Sequence, residues 1–183
     1  MSVARGGALL YTDGRPISGF GENFRWLATG EVGFVPVPVL IMVAVYAIAH
    51  VALNRTKFGR YAFAIGGNEE AALLSGVRVR LYKTMIYGVG GLLSALAAIL
   101  LTARLNSAQP IAGINYELDA IAATVIGGTS LMGGQGSVLG TLIGALIMGV
   151  LRNGLNLLGV SSFIQQLVIG DKVQTLLHAH QAR

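Results

Sequence analysis

From Thr84 to Ala103 the chain runs for twenty residues without a charge. As a helix rising about 1.5 Å per residue, this run reaches roughly 30 Å, the thickness of a bilayer's hydrocarbon core. The rest of the composition agrees. Hydrophobic residues make up 54% of the chain, charged residues only 11%, and mean hydropathy is +0.67, whereas a soluble domain carries roughly 25% charge. The expected fold is therefore all-α: a polytopic transmembrane helical bundle in a lipid bilayer, with some helices short or discontinuous.

Around that run the remaining elements fall into place. Met1–Leu10 reads as the last turns of a membrane helix, since its apolar stretch is too short for a signal peptide and no cleavage signal follows. Residues 11–31, Gly-rich and mixed in charge, read as a loop. A span of about 32–53 follows, with Pro36 and Pro38 at its entrance, where proline is tolerated. After span 84–103, in which Gly90, Ser94 and Ala98 repeat every four residues, comes the apolar segment 118–132. It is too short for a full crossing and is broken by Gly127 and Gly128, with Gly133, Gly134 and Gly136 following. It is either a short buried helix or a discontinuous one lining a water-filled path, where Thr129 and Ser130 would be candidate path residues. Span 138–158 carries Gly136, Gly140 and Gly144 at four-residue spacing, a pattern for close helix packing. A last apolar stretch, 163–169, is incomplete as a span.

Six basic residues, Arg55, Lys57, Arg60, Arg78, Arg80 and Lys83, gather between the first two spans, in the loop 54–83. The positive-inside rule makes that loop cytoplasmic. The tail after Asp171 is then also cytoplasmic, and residues 11–31 and 104–117 lie outside. The overall excess of 13 Lys and Arg over 8 Asp and Glu does not point to nucleic acid, because the basic residues are not interleaved with aromatics on one face.

Within the basic loop sits a short charged helix. Asn68 is suited to the N-cap, Glu69 and Glu70 to the first turn, and Gly76 to the position just past the end. About two turns of helix are not stable alone, so the helix must lean on something, and Leu73 and Leu74 have no intramembrane work. Ala71 and Ala72 allow close approach. The element reads as a docking surface, not a catalytic one.

Arg152 lies about 21 Å into the third span, counting about 1.5 Å per residue from Val138. At that depth it is expected to snorkel to the interface. Asn153 and Asn156 either bond across helices or face a polar path. His50 reads as an interfacial side chain. His178 and His180, with no third ligand nearby, are weak metal candidates. With no cysteine in the chain, neither disulfide nor thiolate site is available, and no metal or cofactor is expected. There is no P-loop, nucleophile elbow or His-Glu-x-x-His pair. The chain is expected to be no enzyme.

The run Asn68-Glu69-Glu70-Ala71-Ala72-Leu73-Leu74-Ser75-Gly76 resembles the cytoplasmic Glu-Ala-Ala…Gly loop of ABC importer permeases. Ser107-Ala108-Gln109-Pro110, Tyr116 to Ala123, Gly127 to Leu131 and Asn153 to Val160 resemble the ribose/xylose-type monosaccharide permeases, and the match spans about Val3 to Leu167. The resemblance implies a permease subunit in a bacterial plasma (inner) membrane. Its partners would be a second permease copy, cytoplasmic ATPase subunits and a periplasmic sugar-binding protein, and the coupling role would fall on Glu70, Ala71, Ala72 and Gly76. Members of the family carry further helices before the point where this chain begins and end in a complete apolar helix, so residues 1–183 read as the C-terminal portion of one membrane domain. A permease for branched-chain amino acids or another small polar solute would share the same loop. A truncated, non-transporting membrane fragment stands as a third reading.

Overall fold

A computed structural model of the chain describes residues 2–114 and 116–159. The described residues are predominantly helical, with four two-residue strands. Three helices are long and apolar enough to cross a membrane: α3 (Val37–Arg55), α6 (Val79–Leu105) and α8 (Val138–Leu157). Between them lie α4 (Lys57–Gly67), α5 (Glu69–Leu74) and α7 (Tyr116–Ile126). At the start stand α1 (Ser2–Thr12) and α2 (Glu22–Thr29). The chain is thus an all-α membrane protein with several spans.

By backbone contacts it divides into two units. The described part of the first comprises residues 2–48 and 80–114, and that of the second residues 49–79 and 116–159. In the first unit, β1 (Ile17–Ser18) pairs antiparallel with β4 (Ser107–Ala108), Ile17 opposite Ala108 and Ser18 opposite Ser107. This sets the segment after α1 beside the segment after α6. A hairpin of β2 (Glu31–Val32) and β3 (Val35–Pro36) leads straight into α3, and Val37 donates its N–H to the Gly30 carbonyl at 2.9 Å. The first span therefore begins at Val37, not Val32, because Pro36 is used as the last strand residue.

Two stretches expected as loops contain helices beyond the short one expected at 68–76. Residues 11–31 contain α2, whose eight residues Glu22–Thr29 are free of glycine and proline and are bounded by Gly21 and Gly30. The glycines around that run suggested a loop, yet they only mark its ends. Residues 54–83 contain α4, α5 and the first residues of α6. The break between α3 and α4 falls at Thr56, whose hydroxyl bonds back to the Ala52 carbonyl at 2.5 Å. Gly59 makes the bend possible: a side chain there would run into the Leu53 carbonyl. α6 starts five residues before the uncharged run, so Arg80 and Lys83 form its first turns and Arg104 its last. At 27 residues it is about 40 Å long, more than the bilayer core, and its charged ends extend beyond it.

The second unit holds α4, α5, α7 and α8. Its core is small and built of small residues: Ala122 and Ala123 of α7 against Met148 of α8, with Ile126 and Ala145 alongside. The segment expected at 118–132 resolves into a helix that stops at Ile126 and a turn from Gly127 to Ser137. The expected stretch 163–169, together with His178, His180 and the tail after Asp171, lies outside the described residues.

Candidate functional site

Asn68 both ends α4 and starts α5. Its N–H donates to the Ala64 carbonyl at 3.0 Å, while its Oδ1 accepts the N–H of Ala71 at 2.9 Å. This is the N-cap arrangement that satisfies a helix's orphan donor. Six residues later the helix closes as firmly. Gly76 donates to the Leu73 carbonyl at 3.0 Å and Val77 to that of Ala72 at 3.1 Å, the paired bonds of a Schellman ending. Gly76 holds φ +80° with nothing near its missing Cβ, so the glycine is required by backbone conformation alone.

The two faces of α5 differ. Leu73 and Leu74 are 61% and 83% exposed, and Asn68, Glu69, Glu70 and Ala71 are exposed with them. Ala72 is 5% exposed. The expectation that Ala72 belongs to an outward contact is corrected on this point: it is buried within the chain, one turn after Asn68 and opposite the leucines. What α5 presents outward is two leucines beside two glutamates.

Directly before Asn68, the end of α4 meets the α7–α8 turn backbone to backbone. A methyl group built on Gly66 would stand 2.8 Å from the Gly134 nitrogen, and one on Gly134 2.9 Å from the Gly67 Cα. One on Gly133 would run into the Gly66 carbonyl. Real Cβ atoms do not come so close, so Gly66, Gly133 and Gly134 must lack a side chain for these two pieces of main chain to touch.

The turn itself is tightly bonded. α7 ends, like α5, in a Schellman pair: Gly128 donates to the Val125 carbonyl at 2.9 Å and Thr129 to that of Thr124 at 3.0 Å, with Gly128 at φ +83°. Ser130 donates to the Gln135 carbonyl at 3.1 Å and Gly133 to that of Ser130 at 3.2 Å. Ser137 then caps α8, its Oγ accepting the Gly140 N–H at 3.3 Å. Gly136, expected among the helix-packing glycines, lies in this turn, where its Cβ position is 3.1 Å from the Thr129 methyl.

α7 and α8 pack antiparallel along two rows of four-residue spacing: Asp119, Ala123 and Gly127 on one, Gly140, Gly144, Met148 and Arg152 on the other. Side chains on Gly127 or Gly140 would strike each other's carbonyls, and one on Gly144 would strike the Ala123 carbonyl. At the far end the rows finish in an ion pair, Arg152 Nη2 donating to Asp119 Oδ1 at 2.7 Å. Arg152 therefore does not snorkel. It turns inward to a carboxylate on the neighbouring helix, so that each charge has an opposite charge beside it.

The family model described as branched-chain amino acid transport system / permease component matches residues 4–171. This chain belongs to that family. Among curated proteins it is 59% identical over 172 residues to the ribose import permease protein RbsC of Bacillus subtilis, a match covering 93% of the chain and 53% of the relative. The corresponding protein of Haemophilus influenzae is 55% identical over 171 residues, covering 91% of the chain and 53% of the relative. The L-arabinose transport system permease protein AraH of Escherichia coli is 43% identical over 170 residues, covering 93% and 52%. The chain spans about half the length of the curated relatives it matches. No solved structure matches it significantly.

Of the residues expected along a path in this permease-family chain, Thr129 and Ser130 lie in the α7–α8 turn. Asn153 and Asn156 are exposed near the opposite end of α8. The structure does not bring the four together. His50 bonds to Asn54 one turn on, at 3.1 Å. No group of metal-ligating side chains occurs among the described residues. Asp119 was missed from sequence. The available signal was one acidic residue in an apolar segment followed, one segment later, by one basic residue.

Proposed function

We propose that the chain is part of the membrane permease of an ATP-driven importer for a monosaccharide, ribose or a close relative, and that α5 docks a cytoplasmic ATPase subunit. The observation that carries the docking role is α5 itself: a helix of six residues fixed by a cap at each end, presenting exposed Leu73 and Leu74 beside Glu69 and Glu70. Exposed leucines on a rigid, capped element suit a protein contact, and they lie where the positive-inside rule puts the cytoplasm. The substrate class rests on the identity to ribose import permeases. Hydrolysis of ATP belongs to the partner, and the chain supplies the passage through the membrane. A second permease copy, a periplasmic sugar-binding protein and a location in the bacterial plasma membrane complete the reading, with Asn153 and Asn156 as the polar groups offered to the passage on the exposed side of α8.

A second reading, import of branched-chain amino acids, is favoured by the description of the family whose model matches. One experiment separates the two. In a strain lacking its own ribose permease, the chain is expressed with an ATPase subunit and a sugar-binding protein, and uptake of labelled ribose and labelled leucine is followed. Energy-dependent ribose uptake, unaffected by excess leucine, is expected. Leucine uptake alone would support the second reading, and neither, with the chain in the membrane and the ATPase bound, would overturn transport.

A further inference from the structure

We propose that the backbone contact of Gly66–Gly67 with Gly133–Gly134 is the joint that carries displacement of α5 into the α7–α8 pair. The proposal rests on the docking role of α5 and adds where that docking is felt. α5 begins at Asn68, the residue after Gly67, and Asn68 is bonded both into α4 and into α5. No flexible linker therefore separates the docking helix from the joint. On the other side of the joint, the turn 127–137 is closed by the Ser130–Gln135 bond and by the capping of both flanking helices.

The character of the contact matters. Where side chains meet, a shift of an ångström is absorbed by rotamer changes. Here the touching atoms are main chain, with a Gly66 Cβ position 2.8 Å from the Gly134 nitrogen, so no rotamer exists to take up the motion. Close-packed matter of this kind transmits displacement instead of damping it. Beyond the turn, Gly127 against Gly140 and Ala123 against Gly144 hold α7 on α8 by the same main-chain contacts. A push at Gly133–Gly134 is thus delivered to a helix pair, not to a loose loop. Packing to stabilise the fold would be served by ordinary side chains. Gly66, Gly133 and Gly134, none of which could carry a Cβ, instead bring main chain directly against main chain.

The chain contains no cysteine, so one introduced cysteine is a unique reporter. Gln135 is exposed in the turn, and its backbone carbonyl, not its side chain, closes the Ser130 bond. Gln135→Cys is placed in the permease assembled with its ATPase subunit and reconstituted in proteoliposomes. Its reaction rate with a maleimide is measured with and without ATP, and bound ATPase is measured by co-purification. The expected result is a change in rate of about fivefold or more on adding ATP, the size of an ordinary coupling between sites. Adding Gly66→Ala should abolish the change while ATPase still co-purifies. Gly88→Ala, at an α6 position with nothing within 4 Å, should leave it intact.

If ATPase co-purifies but Gln135→Cys reacts at the same rate with and without ATP, the joint is overturned, whatever the variants do. A response that survives Gly66→Ala overturns it as well. Should Gly66→Ala fail to assemble, the rate at Gln135→Cys in the unsubstituted joint decides alone. Failure of ATPase to co-purify with any form removes the docking reading itself, and the joint falls with it.

Discussion

Arg152 and Asp119 meet through one nitrogen: Nη2 lies 2.7 Å from Oδ1 and 2.7 Å from Oδ2 of the carboxylate. Each of these charges, alone at the centre of a membrane helix, would cost about 2.5–3.5 kcal/mol to insert. Joined, they can be carried into the membrane as a neutral unit that also fixes the α7–α8 register.

Removing one partner should therefore hurt more than removing both. Breaking a fully buried pair costs about 3–5 kcal/mol. The side chains here are 36% and 23% exposed, so roughly 1–3 kcal/mol is expected for Asp119→Asn or Arg152→Gln. The double variant should recover part of that loss. Thermal unfolding in detergent measures it, and strictly additive single effects would dismiss the pair.

Gly144→Leu is expected to destabilise the α7–α8 pair by about 1–3 kcal/mol, the usual cost of overpacking, because even a Cβ at that position strikes the Ala123 carbonyl. Gly149→Ala, with nothing within 4 Å, should be neutral or gain up to about 1 kcal/mol from better helix propensity. The same unfolding assay reads both. Equal behaviour of the two variants would mean the glycine contact does not form.

Gly76→Val should loosen α5 without touching a neighbour. A branched side chain in the left-handed region costs about 1–2 kcal/mol, and the position has free space around it. Membrane insertion should be normal while co-purification of the ATPase subunit falls. Leu73→Ser with Leu74→Ser should give the same loss with an unchanged unfolding temperature, since both side chains already lie outside the fold. Undiminished ATPase binding in both variants would return α5 to a solvated surface helix.

Sidedness can be read chemically in the cysteine-free background. Gln109→Cys, next to the β1–β4 pair, should react with an impermeant reagent applied from outside, and Asn68→Cys should not. The opposite pattern would invert the topology.

Much of this architecture was legible because the membrane imposes simple rules. The span expected at 138–158 is observed as Val138–Leu157, since Ser137 offers a cap and no charge precedes Arg152. The caps of α5 were equally readable from Asn68 and Gly76, because capping is local. What failed was non-local. Nothing near Arg152 in sequence marks Asp119 as its partner, and the orientation of Ala72 depends on how α5 lies within its own unit. α2 was hidden because its flanking glycines resemble a loop by composition, although they bound an unbroken eight-residue stretch. The Gly66–Gly134 contact joins positions far apart in sequence, and glycine pairs within apolar runs offered many candidate uses.

The α7–α8 rows have a further consequence, since contact is closest at Gly127–Gly140 and ends at Asp119–Arg152. Eight residues, about 12 Å of helix, separate Gly127 from Asp119, so tilting α7 by about 10° about its glycine end would swing the carboxylate by ~2 Å. Directed away from α8, that swing takes the 2.7 Å ion pair well past the hydrogen-bonding limit of about 3.2 Å. Any such tilt of α7 would be felt first at the salt bridge, which latches the far end of the helix to α8.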